Sequence, residues 1–309
     1  MQIKISNLRH VFNPKTPWEF EGLKNATTEI NQGEYVGIIG STGSGKTTFI
    51  EHLNGLLIPY GGTVEWIFRN ELYDKKKKKK VPEMTRIITG EKNRKIKNVK
   101  NLRKKIGIAF QFAEYQLFKA TILEDVSFAS IAFGVPKAEA IEKAKECLIK
   151  VGIKEELHQR SPFELSGGQK RRVALAGLLA AEPDILIVDE PTAGLDPVGV
   201  REILAILDDL HKQGKTIINV THDLDNILER SERVLLFKEG VLIKDDEPYE
   251  ILNDIECLME NNLQPPKLLE FVNKLRKNGL DVPKVVSIEE LATFLNTLKR
   301  TKRTRRKKE

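Results

Sequence analysis

Two glycine-rich motifs lie far apart in this chain and together restrict what it can fold into. The first, at residues 40–47, reads GSTGSGKT, and the second, at residues 165–169, reads LSGGQ. Glycines in the first let consecutive backbone N–H groups face one concavity, which binds phosphate together with the N-terminus of a following helix. The second motif adds a phosphate-contacting surface that cannot reach the first within one chain. The pair therefore predicts that two such chains close on ATP.

The first motif has the local context that a phosphate-binding loop requires. An apolar run precedes it at residues 35–39, and helix-compatible apolar spacing follows over residues 47–57. Strand, loop and helix in this order favour nucleotide binding over a plain glycine-rich turn. We expect nucleotide contacts from Gly40, Ser41, Thr42, Gly43, Ser44, Gly45, Lys46, Thr47 and Thr48. Lys46 should reach the β- and γ-phosphates, and Thr47 should supply a hydroxyl ligand for Mg²⁺.

Four polar residues follow other apolar runs that read as buried strands. Asp189 and Glu190 end one run, Gln111 ends another, and His222 follows a third. Because the carboxyl ends of parallel strands meet at one edge of an α/β sheet, we expect these side chains beside the phosphate-binding loop. Each has a plain alternative when taken alone, since adjacent acids often form a solvated strand edge and a lone histidine is more often structural. Their combination with the loop favours catalysis.

The LSGGQ motif precedes a segment rich in Ala and Leu, residues 168–181, that reads as a helix. The hydroxyl and N–H groups of Ser166, Gly167 and Gly168, with the helix dipole, can bind a γ-phosphate presented from outside. Ser166 can also serve simply as the N-cap of that helix. Both roles are compatible, because the same N-terminus binds anions.

Strand-like and helix-like patterns alternate along most of the chain. Strands are expected at residues 35–39, 106–110, 185–188, 216–220 and 234–237, and helices at 121–149, with a break at Gly134 and Pro136, and at 200–210. This alternation predicts an α/β fold with a mostly parallel sheet. Past residue 249 the composition changes, and Pro265 and Pro266 mark a boundary. Two short helices should follow, the first ending near Asn278 and the second starting with a capping box of Ser287 and Glu290.

The formal net charge of +7 resides in two segments. Residues 69–105 carry 16 basic and 4 acidic side chains and residues 299–309 carry 8 and 1, leaving 27 basic and 39 acidic side chains elsewhere. We interpret 69–105 as a solvated, partly disordered basic insert and 299–309 as a basic tail, with attraction to an anionic membrane surface as the alternative. The sequence contains no run of 18 or more apolar residues, so no membrane-spanning helix is predicted. Cys147 and Cys257 have no partner at metal spacing, so neither a disulfide framework nor zinc is expected.

The motif order resembles the ATP-binding cassette family over residues 1–249. This resemblance implies a P-loop nucleotidase fold with a mostly parallel core sheet, an antiparallel β-subdomain, a helical subdomain over residues 112–181 and a small C-terminal helical domain over residues 250–298. It also implies ATP and Mg²⁺ as cofactors and ATP hydrolysis as the activity.

The same resemblance implies roles for individual residues. Asp189 aligns with the aspartate that holds Mg²⁺, and Glu190 is placed to orient or deprotonate the attacking water. Gln111 looks like the glutamine that touches Mg²⁺ or the water and senses the helical subdomain, and His222 resembles the histidine that contacts the γ-phosphate. The catalytic set is thus Glu190, His222 and Gln111, and the metal set is Thr47, Gln111 and Asp189.

Further contacts are implied across the seam of a closed pair and at the base. Phosphate contacts from the opposite chain are expected at Ser166, Gly167, Gly168 and Gln169, with Asp196 in the loop along the seam. Phe12 is the candidate for stacking on adenine, where the family usually has tyrosine. Phe20 is its rival, and a core position for either ring stays open.

Finer resemblance comes from two stretches. Residues 110–118 read FQFAEYQLF and residues 189–197 read DEPTAGLDP, which is similar to the second of the two paired ATPase subunits of energy-coupling factor transporters. Those transporters import vitamins and transition-metal ions such as cobalt. The implied partners are a second ATPase subunit (a heterodimer, with a homodimer open), a transmembrane coupling subunit held near residues 114–119, and a substrate-binding membrane subunit. Ala113, where proline is usual, and the long insert depart from the family.

The resemblance places the protein at the cytoplasmic face of the cell membrane, as a peripheral subunit that meets the membrane through its partners and binds no nucleic acid. A chromosome-maintenance head domain is disfavoured, because only 118 residues separate Lys46 from Leu165 and they lack sustained heptads. A ribosome-acting protein normally has two cassettes in one chain. A conventional importer ATPase, which would differ only in its membrane partner, is disfavoured by FQFAEYQLF and stays open.

Overall fold

The computed structural model describes residues 1–74, 79–91 and 95–306. The strands are β1 (Gln2–Phe12), β2 (Phe20–Leu23), β3 (Thr28–Ile30), β4 (Tyr35–Ile39), β5 (Gly61–Asp74), β6 (Lys79–Gly90), β7 (Ile106–Ala109), β8 (Ile185–Asp189), β9 (Thr216–Val220), β10 (Arg233–Lys238) and β11 (Val241–Asp246). The helices are α1 (Lys46–Leu53), α2 (Val99–Lys105), α3 (Ile122–Ala132), α4 (Lys137–Lys150), α5 (Gly167–Leu179), α6 (Pro197–Lys212), α7 (Leu224–Arg230), α8 (Pro248–Leu252), α9 (Ile255–Glu260), α10 (Lys267–Lys277) and α11 (Ile288–Arg306).

The larger sheet carries the strands that end in the predicted motifs. Its order is β11-β10-β4-β9-β8-β7, and every neighbouring pair except β10 and β11 runs parallel. Strands β4, β8 and β9 are buried at every residue. Such continuous burial follows from apolar side chains on both faces, with α1 and α2 packed on one side and α5 and α6 on the other. The predicted α/β fold with a mostly parallel sheet is confirmed.

The smaller sheet is antiparallel, in the order β2-β1-β5-β6 with β3 also paired to β1. It shares one hydrophobic core with α1 and the larger sheet, and this core includes the fully buried Trp66 of β5. The indole Nε1 of Trp66 donates a hydrogen bond of 2.7 Å to the carbonyl of Leu53 at the end of α1. The antiparallel β-subdomain therefore holds the helix that follows the phosphate-binding loop.

The basic insert differs most from expectation. Strand β5 continues to Asp74 and β6 returns from Lys79, in register from Asp74↔Lys79 to Thr63↔Gly90, and α2 follows. The expected loop over residues 69–105 is therefore wrong where the structure describes it. The physical reason is that buried and exposed side chains alternate along β6, as in a strand with one covered face: Ile87 and Thr89 are buried, while Ile88 between them is 40% exposed. The many lysines of the segment obscure this pattern in the sequence. Residues 75–78 and 92–94, and residues 307–309 of the tail, lie outside the described residues.

Helices α3, α4 and α5 pack on one another and share one hydrophobic cluster with α6 and the larger sheet. The expected helical segment over 121–149 is interrupted between Ala132 and Lys137, as Gly134 and Pro136 predict. Thr121 caps α3 by accepting a hydrogen bond of 3.2 Å from the backbone N–H of Glu124. These helices share a hydrophobic cluster with β8, which holds the signature helix α5 against the core.

The C-terminal helices pack in two steps. Side chains of α8 and α9 and Leu269 of α10 join the cluster that contains residues of β4 and β10, and α10 and α11 enclose a second, smaller core around Val272, Val282, Val285 and Leu291. Helix α10 ends at Lys277, as predicted, and Ser287 caps α11 by accepting 3.2 Å from the N–H of Glu290. The Glu290 carboxylate accepts from the N–H of Val286, one residue earlier than in a capping box. The boundary at residue 249 stays a prediction.

Within the described ranges, no helix combines the length and the apolar character that crossing a membrane requires.

Candidate functional site

One edge of the larger sheet brings the sequence-predicted residues of the core together. Strand β4 ends at Ile39 directly before the phosphate-binding loop, β8 ends at Asp189, and β9 ends at Val220 before Thr221 and His222. These three strands are adjacent and parallel, with Ile38 opposite Val220 and Val220 opposite Asp189. The loop and the two carboxylates therefore emerge side by side at the carboxyl edge.

The phosphate-binding loop depends on glycine at three positions with positive φ. These angles are 150° at Gly40, 79° at Gly43 and 100° at Gly45. A Cβ at Gly40 would lie 2.4 Å from the backbone carbonyl oxygen of Phe237 on β10, and a Cβ at Gly45 would lie 2.8 Å from that of Gly22 on β2. The loop is thus seated against the backbone of both sheets, and only glycine fits at its two ends.

Lys46, the first residue of α1, is buried and folds back over the loop. Its ammonium donates hydrogen bonds of 2.7 Å and 2.9 Å to the carbonyl oxygens of Gly40 and Ser41. Burial lowers the pKa of Lys46, and the carboxylates of Asp189 and Glu190 act in the opposite direction. A cation held between the loop and two carboxylates is placed to contact phosphate oxygens that enter the loop.

Asp189 and Thr47 place two side-chain oxygen atoms close together beside the loop. The hydroxyl Oγ1 of Thr47 donates to Oδ2 of Asp189 at 3.4 Å, so the two oxygens face the same space next to the loop. Burial raises the pKa of Asp189, the charge of Glu190 raises it further, and Lys46 lowers it. Mg²⁺ binds proteins through one or two such oxygens together with substrate phosphates and water, so these residues fit the metal. The described residues contain no cluster of three or more His, Cys, Asp or Glu able to hold a metal without a substrate.

Glu190 adopts φ of 50°, which turns the chain sharply after β8. Its Oε2 accepts a hydrogen bond of 3.3 Å from the hydroxyl of Thr221, and its buried Oε1 accepts none and lies 3.5 Å from Nε2 of His222. Burial raises the pKa of Glu190, while the bond from Thr221 lowers it. An under-coordinated carboxylate oxygen with a raised proton affinity is suited to accept a proton from water.

His222 and Gln111 stand at the margin of this cluster. The side chain of His222 is 51% exposed, and burial together with the charge of Lys46 lowers its pKa while Asp189 raises it. Gln111 is exposed, two residues past the end of β7, which is the edge strand next to β8. The structure thus brings His222 close to Glu190, whereas Gln111 is an exposed residue after the strand that pairs with β8.

The signature residues line a different cleft. Ser166 caps α5 through a capping box, in which its Oγ accepts from the N–H of Gln169 at 3.3 Å and the Gln169 side chain accepts from the N–H of Ser166 at 3.0 Å. Asp196 caps α6, accepting 2.7 Å from the N–H of Gly199. Residues 166–168 and 194–196, with Arg172, Val198, Gly199, Glu202 and Ile203, line a cleft of about 520 Å³, to which residues 40–48 do not contribute. The N-cap prediction for Ser166 is confirmed.

Phe12 and Phe20 lie together on the β1–β2 hairpin beside the phosphate-binding loop. Their rings stack on each other with centroids 6.4 Å apart, and Phe20 is 61% exposed. The Phe12 ring also covers Gly22, whose carbonyl contacts Gly45 of the loop. The two rings thus form one apolar surface at the loop, whereas the sequence predicts them as alternative candidates for stacking on adenine.

Sequence reasoning missed Arg171, whose side chain bonds two segments next to the site. Its side chain is 9% exposed, and its guanidinium binds both carboxylate oxygens of Glu114 and the backbone carbonyl of Ala193. Arg171 also lines one small cavity with Asp189 and Glu190. The available signal was an arginine at an inward position of an apolar helix, one turn before the buried Leu175.

Sequence comparisons identify relatives over nearly the whole chain. A family model described as ABC transporter matches residues 23–193. The energy-coupling factor transporter ATP-binding protein EcfA2 of Mycoplasmopsis synoviae is 62% identical over 303 residues, which is 98% of this chain and 97% of that protein. The protein of the same name from Mycoplasmopsis pulmonis is 53% identical over 98% of both chains.

Solved structures give the same result. The structure of cbiO1 from Clostridium perfringens, described as part of the ABC transporter complex cbiONQ, matches with a TM-score of 0.65 at 34% identity, covering 88% of this chain and 98% of that one. The dimeric, post-hydrolysis cassette MJ0796 bound to ADP and Pi matches with a TM-score of 0.64 at 28% identity, covering 80% and 98%. The predicted order of motifs, the fold and these relatives agree: the chain belongs to the ABC transporter family of ATPases, within the group of energy-coupling factor transporter ATP-binding proteins.

Proposed function

We propose that this chain, as one of two ATPase subunits at the cytoplasmic face of the membrane, powers uptake of a vitamin or a transition-metal ion through membrane partners. The observation that carries the proposal is the convergence of Lys46, Thr47, Asp189 and Glu190 at one edge of the sheet. These groups can bind a triphosphate, hold its metal and accept a proton from water. Cargo selectivity would lie in a separate membrane subunit.

Substrate binding would rest on the loop and α1. Backbone N–H groups of residues 40–48 and the α1 N-terminus point positive dipoles at the phosphates. The Lys46 ammonium exchanges its two carbonyl partners for phosphate oxygens. Thr47 and Asp189 would hold Mg²⁺, with Gln111 as a further oxygen donor, and the metal supplies charge neutralisation of the phosphates when bound. The Phe12 and Phe20 surface would stack on adenine.

Proton transfer would depend on Glu190. Its buried Oε1 accepts no hydrogen bond, which leaves it able to accept one from a water molecule that enters with the substrate, while Thr221 holds Oε2. His222, at 3.5 Å from Oε1, would orient the carboxylate and contact the γ-phosphate from its exposed side. A buried carboxylate held in place this way can act as a general base.

Hydrolysis would need a second ATPase subunit, in a heterodimer or a homodimer. The cleft beside Ser166 is separate from residues 40–48 within the chain, so the N-terminus of α5 is placed to meet phosphates held by another molecule. Gly167, Gly168 and Gln169 belong to the same helix start, and Asp196 borders the same cleft. The C-terminal helices, residues 250–298, would help hold the two subunits together.

The surface for the transmembrane coupling subunit would lie around residues 114–119. Tyr115 is 84% exposed and Phe118 57% exposed, and the Phe118 ring packs edge-on against Phe128. Asp125 fixes this loop, because its Oδ2 accepts hydrogen bonds from the N–H groups of Phe118 and Lys119 at 2.8 Å and 2.7 Å. A preformed, exposed aromatic surface of this kind suits an apolar helix of a partner.

The test uses Glu190→Gln in the complex purified with its membrane partners. ATP should still bind with unchanged affinity, since the phosphate contacts come from other residues, while turnover should fall by about 10²–10⁴-fold. Glu239→Gln is the matched control, because Glu239 is an exposed glutamate that also has positive φ, at the turn between β10 and β11. Normal hydrolysis by Glu190→Gln would refute the assigned role. A wild-type complex that binds no ATP would refute the function.

A further inference from the structure

Arg171 joins three segments that belong to different parts of the cassette. It lies on α5, five residues after Ser166. Its Nη2 and Nε donate to Oε1 and Oε2 of Glu114 at 2.9 Å and 3.3 Å, and its Nη1 donates to the carbonyl oxygen of Ala193. Glu114 comes three residues after Gln111, and the N–H of Ala193 bonds the carbonyl of Glu190 at 3.2 Å.

The ion pair is nearly dry. The side chains of Arg171 and Glu114 are 9% and 14% exposed. Desolvating both charges offsets much of their attraction, so an apolar pair would hold these segments together about as well. An apolar pair, however, does not fix the mutual orientation of the segments that it joins. A planar guanidinium bonded through Nε and Nη2 to one carboxylate and through Nη1 to a carbonyl fixes the mutual orientation of three backbones.

Arg233, the first residue of β10, uses the same kind of fork outside these segments. Its Nε and Nη2 donate to Oδ1 and Oδ2 of Asp245 at 2.5 Å and 2.6 Å, and its Nη1 donates to the carbonyl oxygen of Glu29 at 2.8 Å. Asp245 lies on β11 and Glu29 on β3, so neither partner belongs to the segments after Gln111 or Glu190. Two arginines with the same bonding pattern therefore differ in whether they join segments of the hydrolytic site.

We propose that Arg171 is a positioning residue for hydrolysis: through Glu114 and the Ala193 carbonyl it keeps the signature helix, the segment after Gln111 and the turn after Glu190 in one fixed arrangement. The proposal rests on the function proposed above, in which Glu190 acts on water and Ser166 meets a phosphate of the paired subunit. A movement of α5 is then transmitted to Glu190 through two hydrogen bonds, from Arg171 to the carbonyl of Ala193 and from the N–H of Ala193 to the carbonyl of Glu190. Arg171 needs no contact with ATP for this.

The test measures steady-state ATP hydrolysis by the assembled complex carrying Arg171→Lys. Lysine keeps the charge but loses the fork that bonds Glu114 and Ala193 together. We expect kcat to fall by about 10-fold while the KM for ATP changes by less than about 2-fold, because misplacing a group by a fraction of an ångström lowers rate without altering the phosphate loop. Arg233→Lys, the matched control, loses the same kind of fork outside the site and should keep kcat within about 2-fold.

A double substitution and a stability measurement separate positioning from mere structure. If the two residues act as one unit, Glu114→Gln alone should lower kcat similarly, and adding Arg171→Lys to it should cost little more. Midpoints of thermal unfolding should not follow kcat across the set. The inference is overturned if Arg171→Lys keeps wild-type kcat, if the effects of the two substitutions multiply, or if kcat falls only in proportion to lost folded protein. In each of these cases, ATP hydrolysis by the wild-type complex would still support the proposed function.

Discussion

The backbone fit at the start of the phosphate-binding loop predicts a large difference between two glycine-to-alanine substitutions. Gly40 and Gly43 lie in the same loop and both have positive φ, at 150° and 79°. An alanine Cβ at Gly40 would meet the carbonyl oxygen of Phe237 at 2.4 Å and Oγ of Ser44 at 2.6 Å, whereas a Cβ at Gly43 would meet nothing within 4 Å. The two variants thus share backbone strain and differ in steric overlap.

The expected magnitudes follow from these contacts. Gly43→Ala should cost about 1 kcal/mol, from the left-handed backbone less the entropy lost by the unfolded chain. Gly40→Ala adds overlap with a carbonyl of β10, which cannot retreat because β10 pairs with β4, with Leu236 opposite Ile39. Strain and overlap of this kind cost about 4 kcal/mol together.

Thermal unfolding of the full chain without nucleotide measures the difference. At about 2–4 °C per kcal/mol for a chain of this size, Gly43→Ala should lower the midpoint by about 3 °C and Gly40→Ala by about 12 °C. Far-UV circular dichroism on the two variants and the wild type, at matched protein concentration, is sufficient. Equal midpoints for Gly40→Ala and Gly43→Ala would show that β10 does not confine the loop, and the argument for its shape would fail.

Two further predictions concern the acid limb of hydrolysis and the base surface. Thr221→Val removes the hydrogen bond that lowers the pKa of Glu190, so the pKa of Glu190 should rise further. The fall in kcat/KM on acidification should then begin at higher pH than in the wild type, whereas Thr221→Ser should match the wild type. Superimposed pH profiles for the valine variant and the wild type would contradict this prediction. Because the rings of Phe12 and Phe20 stack on each other, Phe12→Ala and Phe20→Ala should each weaken ATP binding by about 3–10-fold in calorimetry, and an effect confined to one ring would contradict a shared surface.

Local sequence patterns predicted the elements that carry the site. Each strand of the larger sheet that the pattern predicted lies within one residue of its expected limits, because these strands are continuous apolar runs bounded by polar motifs. The rule that parallel strands end at one edge then placed the loop, Asp189 and His222 together. Cap residues were also local, as Ser166 and Ser287 show.

Features that depend on tertiary partners could not be predicted this way. Glu114 and Arg171 are 57 positions apart with no sequence pattern that pairs them, and Glu114 alone reads as a solvated acid. A buried histidine pair was missed for the same reason: Nε2 of His52 lies 3.1 Å from Nδ1 of His10, on elements 42 residues apart. The high average charge of residues 69–105 obscures the alternation of buried and exposed side chains around Ile87 and Thr89, which is why the sequence predicts a loop where the structure has strands.

The balance of charges at the sheet edge connects the fold to turnover. Burial destabilises the charged forms of Lys46, Asp189 and Glu190, and each opposite charge in the trio partly restores them. A phosphate that takes the Lys46 ammonium must replace its two bonds to the carbonyls of Gly40 and Ser41, and it withdraws that cation from the carboxylates. A divalent cation held by Thr47 and Asp189 would lower the proton affinity of both carboxylates, and most strongly that of Asp189, its direct ligand. We therefore expect the proton affinity of Glu190 with substrate bound to reflect two opposing changes, the loss of Lys46 to the phosphates and the added charge of the metal, because all three groups lie in one buried cluster.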